Sequence, residues 1–256
     1  GLHFDAVVDW IAFTVEHVER DHRLFKGKTS QYVFISSASA YQTPPASPVI
    51  LESTPLANPY WQYSRNKIAC EEWLIAKYRS EGFPATIVRP SHTYGDLGIP
   101  VAVQGSRGGW SVIERLKAGK KVIVHGDGSS LWTLTHNTDF AKAFVSLLGN
   151  PHAIGENYHI TSDECLTWNQ IYAILGNALG VQPQIVHIPS DALLAAGGAA
   201  IGDGLIGDKT HSVIFDNSKV KAAAPGYVAT TRFDQGVRQT LAHFDAHPEL
   251  QRSDPD

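Results

Sequence analysis

Apolar and polar positions change period repeatedly along the first third of the chain. Phe4-Asp5-Ala6-Val7-Val8-Asp9-Trp10-Ile11-Ala12 is a strand-like apolar run, and the stretch opening at Thr14, an N-cap candidate, has helix-like spacing to Phe25. Tyr32-Val33-Phe34-Ile35 is short, β-branched and aromatic, as expected of a parallel strand buried on both faces. A helix is predicted over 60–79, entered after Asn58-Pro59, and Ala85-Thr86-Ile87-Val88 reads as the next strand. Strand, helix and strand in this order make parallel crossovers, and their repetition predicts a doubly wound α/β sheet.

Beyond residue 95 the pattern becomes mixed. Helices are predicted over 109–118, 138–149, 167–179, 189–197 and 232–246, with short strands over 122–125, 157–160, 184–188 and 212–215. These elements suggest a smaller mixed α/β lobe appended to the first sheet. The Gly- and Ala-rich stretch from Ala195 to Gly207 reads either as a mobile flap or as a plain surface connection, and the polar tail after Pro248 as a frayed end.

Composition narrows the class. With 256 residues, 43% hydrophobic and 18% charged, the chain can bury a full core. A net charge of -4 gives no electrostatic reason to expect nucleic acid, and the one small basic cluster, Lys117 to Lys121, reads as a solvated helix end. No apolar run is long enough to cross a bilayer, so no membrane is expected and a cytoplasmic protein is. Cys70 and Cys165 lie far apart without metal spacing and read as reduced and structural. The chain has no methionine, and Gly1 reads as an internal or processed start.

The candidate chemistry gathers at three side chains. Ser37 follows the apolar strand, so its hydroxyl emerges at the carboxyl edge where open α/β sheets bind ligands. Tyr63 and Lys67 are four apart on the predicted helix and therefore share a face. A fixed positive charge stabilises a phenolate, so Lys67 is expected to lower the Tyr63 pKa and make the pair a proton-transfer site. His243 and His247 share a similar spacing but lack the glutamate of a zinc helix, and read as a solvated face; no metal site is expected. Trp61, Trp110, Trp132 and Trp168 are packing residues by default, with stacking on a substrate ring as the alternative.

Ser37, the helix Tyr63-x-x-x-Lys67-x-x-x-Glu71, the segment Arg89-Pro90-Ser91-His92-Thr93-Tyr94-Gly95, and Gly126-Asp127-Gly128 through Asp139-Phe140-Ala141 stand in one order along the chain. Together they resemble the short-chain dehydrogenase/reductases, within them the extended NAD-dependent epimerases and dehydratases, over roughly residues 5 to 245. The resemblance implies a Rossmann-like sheet. Residues 1–95 would form the C-terminal part of a dinucleotide-binding domain. Residues 96–256 would be mainly a substrate lobe, with 121–160 and 212–216 returning toward the nucleotide domain. The family's first three strands, about 60 to 70 residues with the glycine-rich phosphate turn, would precede Gly1. Gly105-Ser106-Arg107-Gly108-Gly109 follows no strong strand and does not replace that turn.

By the same resemblance Ser37, Tyr63 and Lys67 are the catalytic candidates, and Asp9, Ala12, Ser36, Tyr63, Lys67, Pro90 and His92 the cofactor-binding ones, for NAD or NADP. Asp9 either lines the cleft or caps the next turn, and His92 either touches the nicotinamide end or is a loop residue without a role. The implied function is an NAD(P)-dependent oxidoreductase or epimerase acting on a sugar-like or small hydroxyl/carbonyl substrate, as a possible homodimer through the helix at 60–79. The alternative is a non-catalytic nucleotide- or RNA-binding relative on the same scaffold. Two departures bear on the substrate. Trp132 stands near where members acting on nucleotide-diphosphate sugars carry a clamping arginine, a task that Arg107 or Arg115 would have to take over, and Gln42 follows Tyr41 where glycine is usual. Ala38 and Ser39 after Ser37 supply no second acid, which ranks redox or epimerisation above dehydration.

Overall fold

The run at 32–35 sends Val33 and Ile35 into one apolar core and Tyr32 and Phe34 into another. This is the two-faced burial of a central parallel strand. In the computed structural model of the protein, residues 1–254 are described apart from the side chains of residues 198–200. The chain runs through β1 (Val7–Asp9), α1 (Val15–Phe25), β2 (Tyr32–Ile35), β3 (Val49–Ile50), α2 (Gln62–Glu81), β4 (Ala85–Pro90), β5 (His92–Tyr94), α3 (Trp110–Lys117), β6 (Lys121–His125) and β7 (Leu131–Trp132). It continues with β8 (Leu134–His136), α4 (Asn137–Leu147), β9 (Asn157–Ile160), β10 (Leu166–Thr167), α5 (Trp168–Leu179), β11 (Gln184–Ile188), α6 (Ser190–Gly204), a π-turn (Leu205–Lys209), β12 (Ile214–Phe215), α7 (Ser218–Ala223) and α8 (Phe233–Ala246).

The main sheet has the order β1-β2-β4-β9, every neighbour parallel. On one face Val18 of α1 and Cys70 and Leu74 of α2 pack on Tyr32, Phe34 and Ala85. On the other, Phe140, Phe144 and Leu147 of α4 and Val220 of α7 pack on Val33, Ile35 and Val88. Helices on both faces make the doubly wound α/β arrangement expected from the alternation.

The second lobe has its own core. Trp110 and Ile113 of α3, Trp168 and Ile171 of α5, and Val237 and Phe244 of α8 close around Val122, Val124 and Trp132. Its strands pair as β6 with β11 and β5 with β8, both parallel, and β7 with β10, antiparallel.

Local polar contacts explain several differences from the pattern. The first apolar run is a strand only over Val7–Asp9, because Asp9 Oδ1 accepts from the amides of Ile11 and Ala12, each at 2.9 Å, and turns the chain out of the sheet. The segment 121–160 does not return as a block. Lys121–His125 pairs with Gln184–Ile188 in the second lobe, whereas Asn157–Ile160 joins the main sheet beside Ala85–Pro90. Ala195 to Gly207 is helical, the second half of α6 running into the π-turn.

The tail is not frayed as far as residue 254. Pro248–Leu250 forms a 3₁₀ turn, and the Asp254 carboxylate accepts from Ser106 Oγ at 2.7 Å and from the Arg107 amide at 3.2 Å. The last two residues lie outside the described ones. No helix among the described residues is long and apolar enough to cross a membrane.

Candidate active site

Helix α2 buries Ser64, Lys67, Cys70, Glu71 and Leu74, a stripe spaced by threes and fours. Most of that stripe is polar, and a buried polar group is tolerated only when it is paired. Each pairing builds part of the site. Lys67 Nζ donates to the carbonyl oxygens of Ala12 at 2.7 Å and Ile35 at 2.8 Å, which ties α2 to the carboxyl ends of β1 and β2. It also lies 4.7 Å from the centre of the Phe13 ring and 4.8 Å from that of Phe34. Burial pulls its pKa down to about 8, against the pull of nearby acidic groups.

Glu71 accepts from Ser36 Oγ, from Arg89 Nη2 at 2.6 Å and from Arg89 Nε at 2.9 Å. The glutamate of the helix motif and the arginine of Arg89-Pro90-x-x-x-Tyr94-Gly95 are therefore one buried ion pair beneath the strand edge. The same guanidinium donates to Asn157 Oδ1 at 3.0 Å and packs over the Tyr41 ring at 4.8 Å. Gly95 ends the second motif for a steric reason: a Cβ there would lie 2.3 Å from Nδ2 of Asn137, the first residue of α4.

Tyr63 stands one turn before Lys67 on α2. Burial raises its phenol above the ordinary 10.0; a hydrogen bond with Ser37 works against this, and the Asp208 carboxylate adds to it. The expected lowering by Lys67 is not what the arrangement produces, because the ammonium is turned to the two backbone carbonyls. Ser37 also pairs with Ser39 Oγ at 2.9 Å, which accepts from Ser64 Oγ at 2.7 Å. A chain of hydroxyls thus holds the loop after β2 against α2.

Tyr63 and Lys67 line a cleft of 480 Å³ together with Ser36, Pro90, Ser91, Thr93 and Asn137. Its apolar wall is Trp10, Phe13, Phe140 and Phe144, with the Trp10 ring 5.4 Å from that of Phe144. A mostly apolar cleft of this size with a few convergent polar groups suits a small-molecule or cofactor moiety.

Of the residues singled out in the sequence, Ser36, Tyr63, Lys67 and Pro90 meet here, and Ser37 joins them through Tyr63. Asp9 does not line the cleft. Besides the two amides its carboxylate accepts from Tyr32 Oη at 2.6 Å, so it shapes the turn after β1. The Ala12 side chain is buried in the core and only its carbonyl takes part, as a Lys67 acceptor.

His92 faces a second cavity, of 330 Å³, lined also by Trp61, Gln104, Asp208 and Lys209. Burial pushes its imidazole down to about 3, so it is neutral there. The Trp61 ring of this cavity and the Tyr63 ring of the cleft lie 4.7 Å apart, centre to centre.

Trp110, Trp132 and Trp168 belong to the second core, Trp132 against Trp168 at 5.7 Å. Position 132 is therefore occupied by packing. His243 and His247 stack on each other at 4.1 Å. The aromatic wall and Asp208 were not singled out in the sequence. Trp10, Phe13 and Phe144 carry no local signal beyond apolarity, and Asp208 lies in a Gly- and Ala-rich stretch without a motif.

Comparison with known proteins gives the family and the fold of the chain. A family model described as the NAD dependent epimerase/dehydratase family matches residues 12–161. The chloroplast stem-loop binding protein of 41 kDa b from Arabidopsis thaliana is 30% identical over 185 residues, covering 72% of this chain and 45% of the relative. An uncharacterized UDP-glucose epimerase, YtcB, from Bacillus subtilis (strain 168) is 26% identical over 149 residues, 58% of this chain and 45% of the relative. The chain thus spans less than half the length of either curated relative.

Among solved structures, dTDP-glucose 4,6-dehydratase from Bacillus anthracis str. Ames, in complex with NAD, superposes with a TM-score of 0.74 at 20% identity, covering 96% of this chain and 74% of that one. With the family model spanning more than half of its length, the chain belongs to the NAD dependent epimerase/dehydratase family.

Proposed function

We propose that the chain carries the proton-transfer site of an NAD(P)-dependent oxidoreductase or epimerase acting on a carbon that bears a hydroxyl or carbonyl. The observation that carries this reading is the meeting of Tyr63 and Lys67 in one cleft, with the Ser37 hydroxyl near enough to pull the Tyr63 phenol down.

The residues fit the nicotinamide end of the cofactor. An ammonium has three donors, and Lys67 directs two at Ala12 and Ile35, leaving one for a ribose hydroxyl in the cleft it lines. Pro90 and the aromatic wall supply an apolar surface for the nicotinamide ring. When bound, the cofactor supplies hydride acceptance and donation.

Tyr63, protonated in this environment, is set to give its proton to a substrate oxygen, and as phenolate to take one back in the reverse direction. Ser37, which pulls the phenol pKa down, would orient that oxygen and steady the phenolate. Tyr63 lines the 480 Å³ cleft and its ring neighbours Trp61 of the 330 Å³ cavity, which suits a cofactor in the first and a substrate in the second. The names of the relatives, a UDP-glucose epimerase and a dTDP-glucose 4,6-dehydratase, support a sugar as substrate.

Titration with NADH and NADPH tests this reading. Trp10, 52% exposed at the cleft rim, serves as donor for energy transfer to the reduced nicotinamide. Saturable transfer that Lys67→Met weakens, together with loss of turnover in Tyr63→Phe at unchanged fold, is expected. Full turnover in Tyr63→Phe overturns the assignment.

Kinship with a stem-loop binding protein favours a second reading, RNA binding on the same scaffold. The net charge of -4 weighs against it. Filter retention of a stem-loop RNA at physiological salt would support it.

A further inference from the structure

The 330 Å³ cavity has one charged wall, formed where the π-turn Leu205–Lys209 closes on the N-terminal end of α2. Two contacts fix that closure. Asn58 Nδ2 donates to Gly207 O at 2.7 Å and to Ser39 O at 2.8 Å, joining the π-turn to the loop that carries Ser37. Gly207 has no side chain where one would collide: a Cβ there would lie 2.8 Å from Trp61 Cβ. A single π-turn inside a helical segment frequently marks a functional site.

Asp208 is held on this turn between the cavity and the segment Ala38–Ser39. Its carboxylate is half-buried and accepts no hydrogen bond from any described residue. Lys209 does not satisfy it, because its ammonium donates to the carbonyls of Val101 at 3.0 Å and Ala102 at 3.2 Å. With no donor from the described residues, its oxygens open onto the cavity and are left to accept from a group bound there.

The rest of the cavity indicates that partner. Trp61 offers an aromatic face, His92 is neutral, Gln104 has an amide that donates and accepts, and Lys209 is engaged with carbonyls. A carboxylate is acceptor-only, so it recognises groups that donate.

We propose that Asp208 determines the specificity of this cavity, accepting hydrogen bonds from the hydroxyls of a neutral polyhydroxylated ring that rests on Trp61, and disfavouring a ring that carries a carboxylate. This rests on the reading of Tyr63 as the proton-transfer group, since it places the substrate ring on the far side of the Trp61–Tyr63 pair. Asp208 selects the ring, and its charge adds to the burial that raises the Tyr63 phenol.

The test uses saturation-transfer-difference NMR with D-glucose and D-glucuronate, two probes of one size that differ in a carboxylate, at a pH where Asp208 is ionised. The expected result is saturable millimolar binding of D-glucose and at least about tenfold weaker binding of D-glucuronate, with Asp208→Asn reducing that ratio to about threefold or less. Because the Asp208 carboxylate accepts no hydrogen bond from the described residues, Asp208→Asn is expected to melt no lower than the natural protein. D-glucuronate binding as tightly as D-glucose to the unsubstituted chain overturns the proposal without recourse to any variant. So does an absence of saturable D-glucose binding, or an unchanged ratio in Asp208→Asn. Tyr63→Phe is expected to keep the ratio. Loss of the redox reading through full turnover in that variant is therefore distinguishable from loss of the Asp208 assignment, which the ratio alone decides.

Discussion

The ammonium of Lys67 lies 5.8 Å from the centre of the Tyr63 ring, one turn further along the same helix, and is anchored by the carbonyls of Ala12 and Ile35 rather than by the phenol. The pair therefore shares a cleft without sharing a hydrogen bond. The lysine is as much a structural clamp across the strand ends as a source of charge.

Lys67→Met tests that double role. The substitution keeps the apolar stem but leaves two carbonyls without their donor, and is expected to cost about 1 to 3 kcal/mol in urea denaturation. The folded-state amine titrates at about 8 and the unfolded one near 10.5, so between these values the folded form holds fewer protons and Lys67 makes stability rise with pH. In Lys67→Met the slope over that window should flatten.

The Glu71–Arg89 pair should behave as a buried ion pair in a double-mutant cycle. Glu71→Gln leaves the guanidinium, itself 4% exposed, without its counter-charge and is expected to destabilise by about 3 kcal/mol. Glu71→Leu combined with Arg89→Met should cost less than the sum of the single changes. Strict additivity in urea midpoints would show that the pair is not coupled.

Asp208 carries a pH signature of its own. A carboxyl whose folded-state pKa is raised lends stability below its unfolded pKa and loses it as pH rises through the folded value. Burial raises Asp208 from 3.8 to about 7, so the natural protein should lose stability relative to Asp208→Asn between about pH 4 and pH 7. Melting temperatures of both proteins across that range should converge at the acid end and separate above neutrality. Parallel curves would contradict the withdrawn position of this carboxyl.

The closure of the π-turn on α2 is testable by adding a methyl group. Gly207→Ala places a Cβ 2.8 Å from Trp61 Cβ and is expected to lower stability by about 1 to 3 kcal/mol and to reduce turnover further by moving Asp208 and Trp61. At Gly204 the nearest atom to a new Cβ is 3.4 Å away on the Trp61 ring, an ordinary contact. Gly204→Ala is the matched control and should change melting temperature little.

Much of this arrangement is written in short-range pattern. Two-faced apolarity at 32–35, helical spacing from Gln62 to Glu81 and the run at Ala85 are enough for a parallel sheet with helices on both sides, because period and burial are local consequences of backbone geometry. Tyr63, Lys67 and Glu71 could be placed on one face for the same reason. Ser36, Ser37 and Pro90 follow from their places at strand ends.

Partnership across the fold is of another kind. Whether Asp9 turns inward, whether His92 faces one cavity or the other, and whether Lys67 points at a phenol or at two carbonyls depend on which distant backbone atoms arrive beside them. Ala12 is 55 residues from Lys67 in the chain, and Gly207 is 149 from Asn58. The Ala- and Gly-rich stretch at 195–207 reads from composition as a flap or a surface connection; in the fold it is helical, and the approach of Gly204 and Gly207 to Trp61 delivers Asp208 to the site. Residue types and their local spacing specify the sheet and the side chains available for chemistry. The balance of burial, charge and hydrogen bonding among residues remote in sequence sets which of those side chains face a ligand and in what protonation state.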